Sequence, residues 1–157
     1  MYFRPSTPTS PTCLFDTQIL SDIQPHDKMS VFHTQTLSDN WEWKQRPENC
    51  DVEGVLTENV GWTGTLVPTE IFKDLLEAKK IPDPHIDQHE KTVQWVGEVD
   101  WLYRTRFTAT HTPESNGKAV LAFDGLDTFA SVYLNGKLIL QTIVLPLGTK
   151  LTTEHVS

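Results

Sequence analysis

The chain has 157 residues, 38% of them hydrophobic, and a formal net charge of −8. That length suits one domain around one core. The acidic balance repels nucleic-acid phosphates and anionic lipid, and no apolar run is long enough to span a bilayer, so neither nucleic acid nor a membrane is an expected partner.

Residues 1–28 carry Pro5, Pro8, Pro11 and Pro25 among many Ser and Thr. Such composition buries too little apolar surface to offset ordering entropy, so a disordered tail is expected there. The segment lacks the continuous apolar stretch of a secretory signal, so the expected residence is the cytoplasm, with Met1 or Met29 as the start. Cys13 and Cys50 have no C-x-x-C spacing; two free thiols are expected, with a disulfide between them as the alternative.

Trp41-Glu-Trp43 alternates as a half-buried strand does. Residues 46–64 are mixed, with turns expected at Gly54, Gly61 and Gly64. Pro68–Lys80 is the clearest helix, with Thr69 as its cap and Ile71, Phe72, Leu75 and Leu76 as its apolar face. Pro82 and Pro84 stop it. Ile81–Glu90 reads as a polar loop. A strand is expected through Trp101, Tyr103, Thr105 and Phe107, with Leu102, Arg104 and Arg106 turned to the other face as outward charges whose stems cover apolar surface. Strands follow at Lys118–Phe123, Thr128–Leu134 and Lys137–Gln141. The last two flank Asn135-Gly136, a strong hairpin signal because both residues tolerate positive φ. The alternation test yields roughly six strands, fewer than the roughly eight of a jelly roll. Residues 142–157 show no clear pattern and read as an atypical tail. The fold class is therefore mainly β, an incomplete jelly-roll sandwich with one short helix.

Several runs carry a resemblance. Gln94-Trp-Val-Gly-Glu-Val-Asp-Trp-Leu-Tyr-Arg104, Ile81-Pro-Asp-Pro84, Phe123-Asp-Gly-Leu-Asp-Thr128 and Val132-Tyr-Leu-Asn-Gly-Lys137 are similar to the N-terminal, galactose-binding-like domain of family 2 glycoside hydrolases. The first two runs resemble β-mannosidases of the fungal B type in particular. The similarity runs from about residue 29 to 141, a span of ordinary domain size. It implies a parent reaction, hydrolysis of terminal non-reducing β-D-mannose by two glutamates on a TIM barrel. It also implies adjoining immunoglobulin-like and TIM-barrel domains as partners, β-mannosides as the sugars, and no cofactor. The family's Trp-Asp-Trp-Gly-Pro motif does not follow the hairpin, and no Asn-Glu dipeptide occurs. The chain is thus expected to be a truncated, non-catalytic domain, inactive alone. The alternatives are a stand-alone carbohydrate-binding module and a structural β-sandwich that binds no sugar.

Candidate sites follow from chemistry. Trp62, Trp95 and Trp101 offer rings on which a sugar can stack, with Asp100 as a hydroxyl acceptor; alternation with Tyr103 and Phe107 favours a core place for Trp101. Glu98 and Asp100, two apart, would share a strand face at the spacing glycosidic acid pairs need, though surface hydrogen bonding explains them better. Asp83, His85, Asp87 and His89 suggest metal ligands, but Pro82 and Pro84 oppose the helix that would align them, so no metal is expected. Nucleophile elbows and phosphate-binding loops are absent.

Overall fold

A computed structural model describes residues 2–4, 18–22, 33–66, 70–110, 118–123, 126, 129–142 and 150–153. Ten strands lie among them: β1 (Tyr2–Arg4), β2 (Gln18–Asp22), β3 (His33–Thr36), β4 (Trp41–Gln45), β5 (Thr63–Thr65), β6 (Trp101–Arg104), β7 (Lys118–Ala122), β8 (Phe129–Leu134), β9 (Lys137–Thr142) and β10 (Lys150–Thr153). All described pairings are antiparallel. One sheet runs β5-β4-β6-β1-β8-β9 and the other β10-β7-β2-β3. One apolar cluster joins them: Trp41, Trp43, Trp101, Tyr103 and Val132 from the first sheet, Leu121 from the second, and Phe123 just beyond it. Sheet, core and second sheet make a β-sandwich.

Three strands fall where the sequence predicted tails. β1 and β2 lie within residues 1–28, and β10 lies within 142–157. The compositional argument averaged short β-prone runs such as Gln18-Ile-Leu with proline-rich neighbours. Each run satisfies its main-chain groups by pairing: β1 sits between β6 and β8, β2 between β3 and β7, and β10 edges β7.

The hairpin forms as predicted. Asn135 and Gly136 take φ of 50° and 78°, as a type I′ turn requires. A register shift at Val132/Tyr133 marks a bulge in the ladder between β8 and β9. The strand predicted through Phe107 ends at Arg104, because its neighbour β4 begins at Trp41 and the last register pair is Glu42 with Arg104.

Helix α2 covers Ile71–Glu77, shorter than the predicted span. Its N-cap is Glu70, which makes no side-chain capping bond, while Pro68 and Thr69 lie outside the described residues. Its C-terminus closes in a Schellman motif. The Lys80 amide donates to the Leu75 carbonyl at 2.8 Å and the Lys79 amide to Leu76 at 2.9 Å, with Lys79 at φ 55°. Ile71 and Leu75 are buried, but Leu76 is 38% exposed and Asp74 takes an inward place instead.

Two helices were not predicted. α1 (Val52–Thr57) is capped by Asp51, whose side chain accepts from the Gly54 amide at 3.0 Å. Gly54, expected at a turn, sits inside it. α3 (His89–Thr92) and a 3-10 turn at Gln94–Gly97 occupy ground expected to be loop and strand approach. Pro82 and Pro84 hid α3, and both helices are too short to show a periodicity.

Candidate functional site

The four predicted contact residues fall on two faces of one sheet. β6 is central in the first sheet and buried on both sides. Trp101 and Tyr103 point into the core; Leu102 and Arg104 point the other way.

Trp101 is 2% exposed, and its indole Nε1 donates to the Val96 carbonyl at 2.9 Å. Its ring meets Trp43 edge-on, with centroids 5.7 Å apart. No ring face is left for a sugar, which corrects its place among the contact candidates. Burial of one such ring removes roughly 150–250 Å² from water, on the order of 4–6 kcal/mol as an upper estimate. Trp95, on the 3-10 turn above it, is 38% exposed and tilted against Trp101 at 6.1 Å.

Asp100 stands before β6. Its carboxylate pairs with Arg46 Nη1 at 3.3 Å, and its carbonyl accepts from the Arg46 amide at 2.8 Å. Glu98 closes the 3-10 turn in helical backbone. The expected Glu98–Asp100 pair on one strand face is therefore not formed, because the chain reaches β6 through a turn.

Trp62 lies on the face of the sheet opposite Trp101, the side to which Arg104 turns. Its indole donates to the Glu58 carbonyl at 2.9 Å, the Arg104 guanidinium stacks at 3.9 Å from its centroid, and Lys44 Nζ lies 5.6 Å away. Arg104, predicted as an outward charge, is a buried hub. Its Nε donates to Glu42 at 2.8 Å, and Nη1 donates to the Leu56 carbonyl at 2.9 Å and to the Glu58 carbonyl. A planar fork with several donors suits such a place, since one side chain satisfies a carboxylate, two carbonyls and a ring face. The hub ties α1 and the following turn to the outer face of the sheet. Arg106 is exposed, as its strand position suggested, and donates to Asn59 at 2.9 Å.

Asp74 was not singled out in the sequence. It is 4% exposed and accepts from the Tyr103 hydroxyl at 2.7 Å and the Thr65 hydroxyl at 2.8 Å, so it joins α2 to β5 and β6. Burial pushes its carboxyl above the ordinary aspartate value; the two hydroxyl donors and Lys73 pull it down, while Glu77 adds to the rise. Both oxygens are engaged inside the fold, so this acid holds structure and does not face a substrate. An acid within an otherwise apolar face at helical spacing was the available signal.

The loop after α2 forms turns. Asp83 Oδ1 accepts from the His85 amide at 2.9 Å, and His89 Nδ1 lies 3.1 Å from the Asp83 carbonyl oxygen. Among the described residues, no group of three or more His, Cys, Asp or Glu could hold a metal ion. No helix among them is long and apolar enough to cross a membrane.

A groove of about 420 Å³ opens between the turn that joins β3 to β4 and the chain leaving β6. Thr105 Oγ1 donates to the Asp39 carbonyl at 3.0 Å; Gln35 Nε2 donates to the Thr108 carbonyl at 3.0 Å, and Gln35 Oε1 accepts from the Thr110 amide at 2.9 Å. Side-chain bonds thus replace the ladder where β6 stops.

This sandwich is a galactose-binding-like domain of glycosyl hydrolase family 2: residues 34–143 match that family's model, and the chain belongs to the family. Curated relatives sharpen the likeness. It is 43% identical over 106 residues to beta-mannosidase B of Thermothelomyces thermophilus, covering 68% of this chain and 11% of the relative. It is 35% identical over 114 residues to beta-mannosidase B of Aspergillus terreus, covering 73% of this chain and 13% of the relative. The protein of the same name in Aspergillus clavatus is 35% identical over 115 residues. The chain thus spans about an eighth or less of these relatives' length. No solved structure matches it.

Proposed function

We propose that this chain is the non-catalytic domain of a β-mannosidase-like glycoside hydrolase, a scaffold on which immunoglobulin-like and barrel domains pack. The parent reaction is hydrolysis of terminal β-D-mannose, with the reacting carboxyl groups supplied outside residues 34–143. One observation carries the reading: three of the four side chains expected to make a sugar cleft are already committed within the sandwich. Trp101 is sealed, Trp62 is covered by Arg104, and Asp100 is held by Arg46. Glycosidic cleavage needs two carboxyl groups facing one sugar, roughly 5–5.5 Å apart in the retaining case. The inward acid, Asp74, is spent on two hydroxyls. The purified chain is expected to release no aryl alcohol from a chromogenic β-mannoside above the buffer rate. Release that scales with protein and is lost on mutation of a carboxylate in this chain would overturn the reading.

A second reading, a stand-alone carbohydrate-binding module, is favoured by the half-open ring of Trp95. Isothermal titration with mannobiose distinguishes the two: heat that disappears in Trp95→Ala supports the module, and heat that is absent, or that the substitution leaves unchanged, removes it.

A further inference from the structure

The geometry points to a separate binding site for a neutral pyranose unit in the groove between the β3–β4 turn and residues 105–108, built from Asp39, Asn40, Arg106 and Phe107. The groove lies away from Trp95 and takes no part in the reading of the domain as a scaffold. It rests on that reading only for the choice of sugars tried first.

Four features carry the assignment. The cavity, about 420 Å³, falls within the roughly 300–1,000 Å³ typical of small-molecule sites. Its walls are tied before any ligand arrives, because Gln35 and Thr105 cross-link them through the three bonds described above; a site held in this way loses little entropy on binding. Its polar groups are available. The side chains of Asp39 and Asn40 make no hydrogen bond or ion pair within the described residues, and Arg106 spends one Nη2 bond on Asn59 and keeps its other donors. Finally, Phe107 lines the same groove with 38% of its surface exposed.

Together these groups match a sugar and match other ligands poorly. A ring of hydroxyls needs acceptors and donors side by side; a carboxylate accepts, a guanidinium donates, and an amide does both. The less polar face of a pyranose needs a flat apolar surface, which Phe107 offers. Asp39 and Arg106 carry opposite charges, so the groove favours neither an anion nor a cation. The overall charge of −8 further disfavours anionic sugars. A purely apolar ligand would strand these polar groups, at a cost of about 1–3 kcal/mol each if desolvated.

The test is a ¹H–¹⁵N NMR titration of the whole chain with methyl β-D-mannopyranoside and with mannobiose. Saturable shifts are expected at the amides of Asp39, Asn40, Arg106 and Phe107, with dissociation constants in the millimolar range. Asp39→Ala and Phe107→Ala are each expected to weaken binding by about tenfold or more. Both residues are exposed, so spectra elsewhere should be unchanged; should either variant misfold, the map of shifts in the unmodified chain decides alone. Trp95→Ala should bind as the parent does. Absence of saturable shifts, shifts centred on the Trp95 indole, or folded groove variants that bind like the parent would each overturn the assignment. None of these outcomes bears on the hydrolysis assay, so the two proposals fail separately.

Discussion

Arg104 gives the sharpest energetic test of the architecture. In Arg104→Met the stem keeps its volume and the fork disappears. The Leu56 and Glu58 carbonyls lose a charged donor, Trp62 loses the cation on its face, and Glu42 loses its partner. Removing one partner of a buried pair costs about 3–5 kcal/mol. The Glu42 side chain is 39% exposed and can rehydrate, which moves the figure to the lower end. Each carbonyl contributes about 1 kcal/mol and the ring contact about 0.5–1 kcal/mol, which again gives a total of about 3 kcal/mol. With a urea slope of about 1–3 kcal/mol per molar, the unfolding midpoint should fall by about 1–3 M. Arg104→Lys keeps the charge but not the planar fork, and should lose roughly half as much. A Met variant whose midpoint lies within the ±0.5 kcal/mol scatter of surface substitutions would refute the assignment of Arg104 as a hub.

Asp74 makes a prediction with a definite sign. Its carboxyl is raised in the folded state, chiefly by burial, so the native state binds its proton more tightly than the unfolded chain does. The contribution is fully present below the unfolded value and is lost as pH rises through the folded value. The stability of the parent minus that of Asp74→Asn, taken from urea melts on the acid side, should therefore fall as pH rises through that window. A flat or rising difference would contradict the burial argument. Gly136→Ala places a Cβ at φ 78° with no neighbour in contact, so only backbone strain should act. It should cost about 1–2 kcal/mol, read as a lower thermal midpoint, and an unchanged midpoint would argue against the type I′ hairpin.

Much of the sandwich was legible because alternation and turn chemistry are local. Trp41 and Trp43, Trp101 and Tyr103, and the Asn135-Gly136 hairpin all declare themselves within a few residues. β1, β2 and β10 did not, since a strand that earns its place by pairing with distant neighbours need not show it in its own composition. The candidate site was less legible for a related reason. The sequence names the tryptophans but not what covers them, and Trp62 lost its open face to an arginine more than forty residues away. Arg104 alternates correctly to the far side of β6. Whether that side is solvent or a second buried layer depends on α1, a six-residue helix with one buried residue and no periodicity to announce it. The groove was invisible altogether, because it arises where β6 leaves its ladder, and the alternation through Thr105 and Phe107 predicts that the ladder continues.

The central proposal is that this domain serves as a scaffold within a glycoside hydrolase and does not itself perform the hydrolysis, and a chimera tests that most directly. Residues 34–143 would replace the matching segment of the Thermothelomyces relative, which is 43% identical over the aligned region. Hydrolysis of an aryl β-mannoside by the folded chimera should persist within about tenfold of the unmodified enzyme, a barrier change of about 1.4 kcal/mol. A chimera that folds, melts cooperatively and has lost hydrolysis altogether would contradict the account.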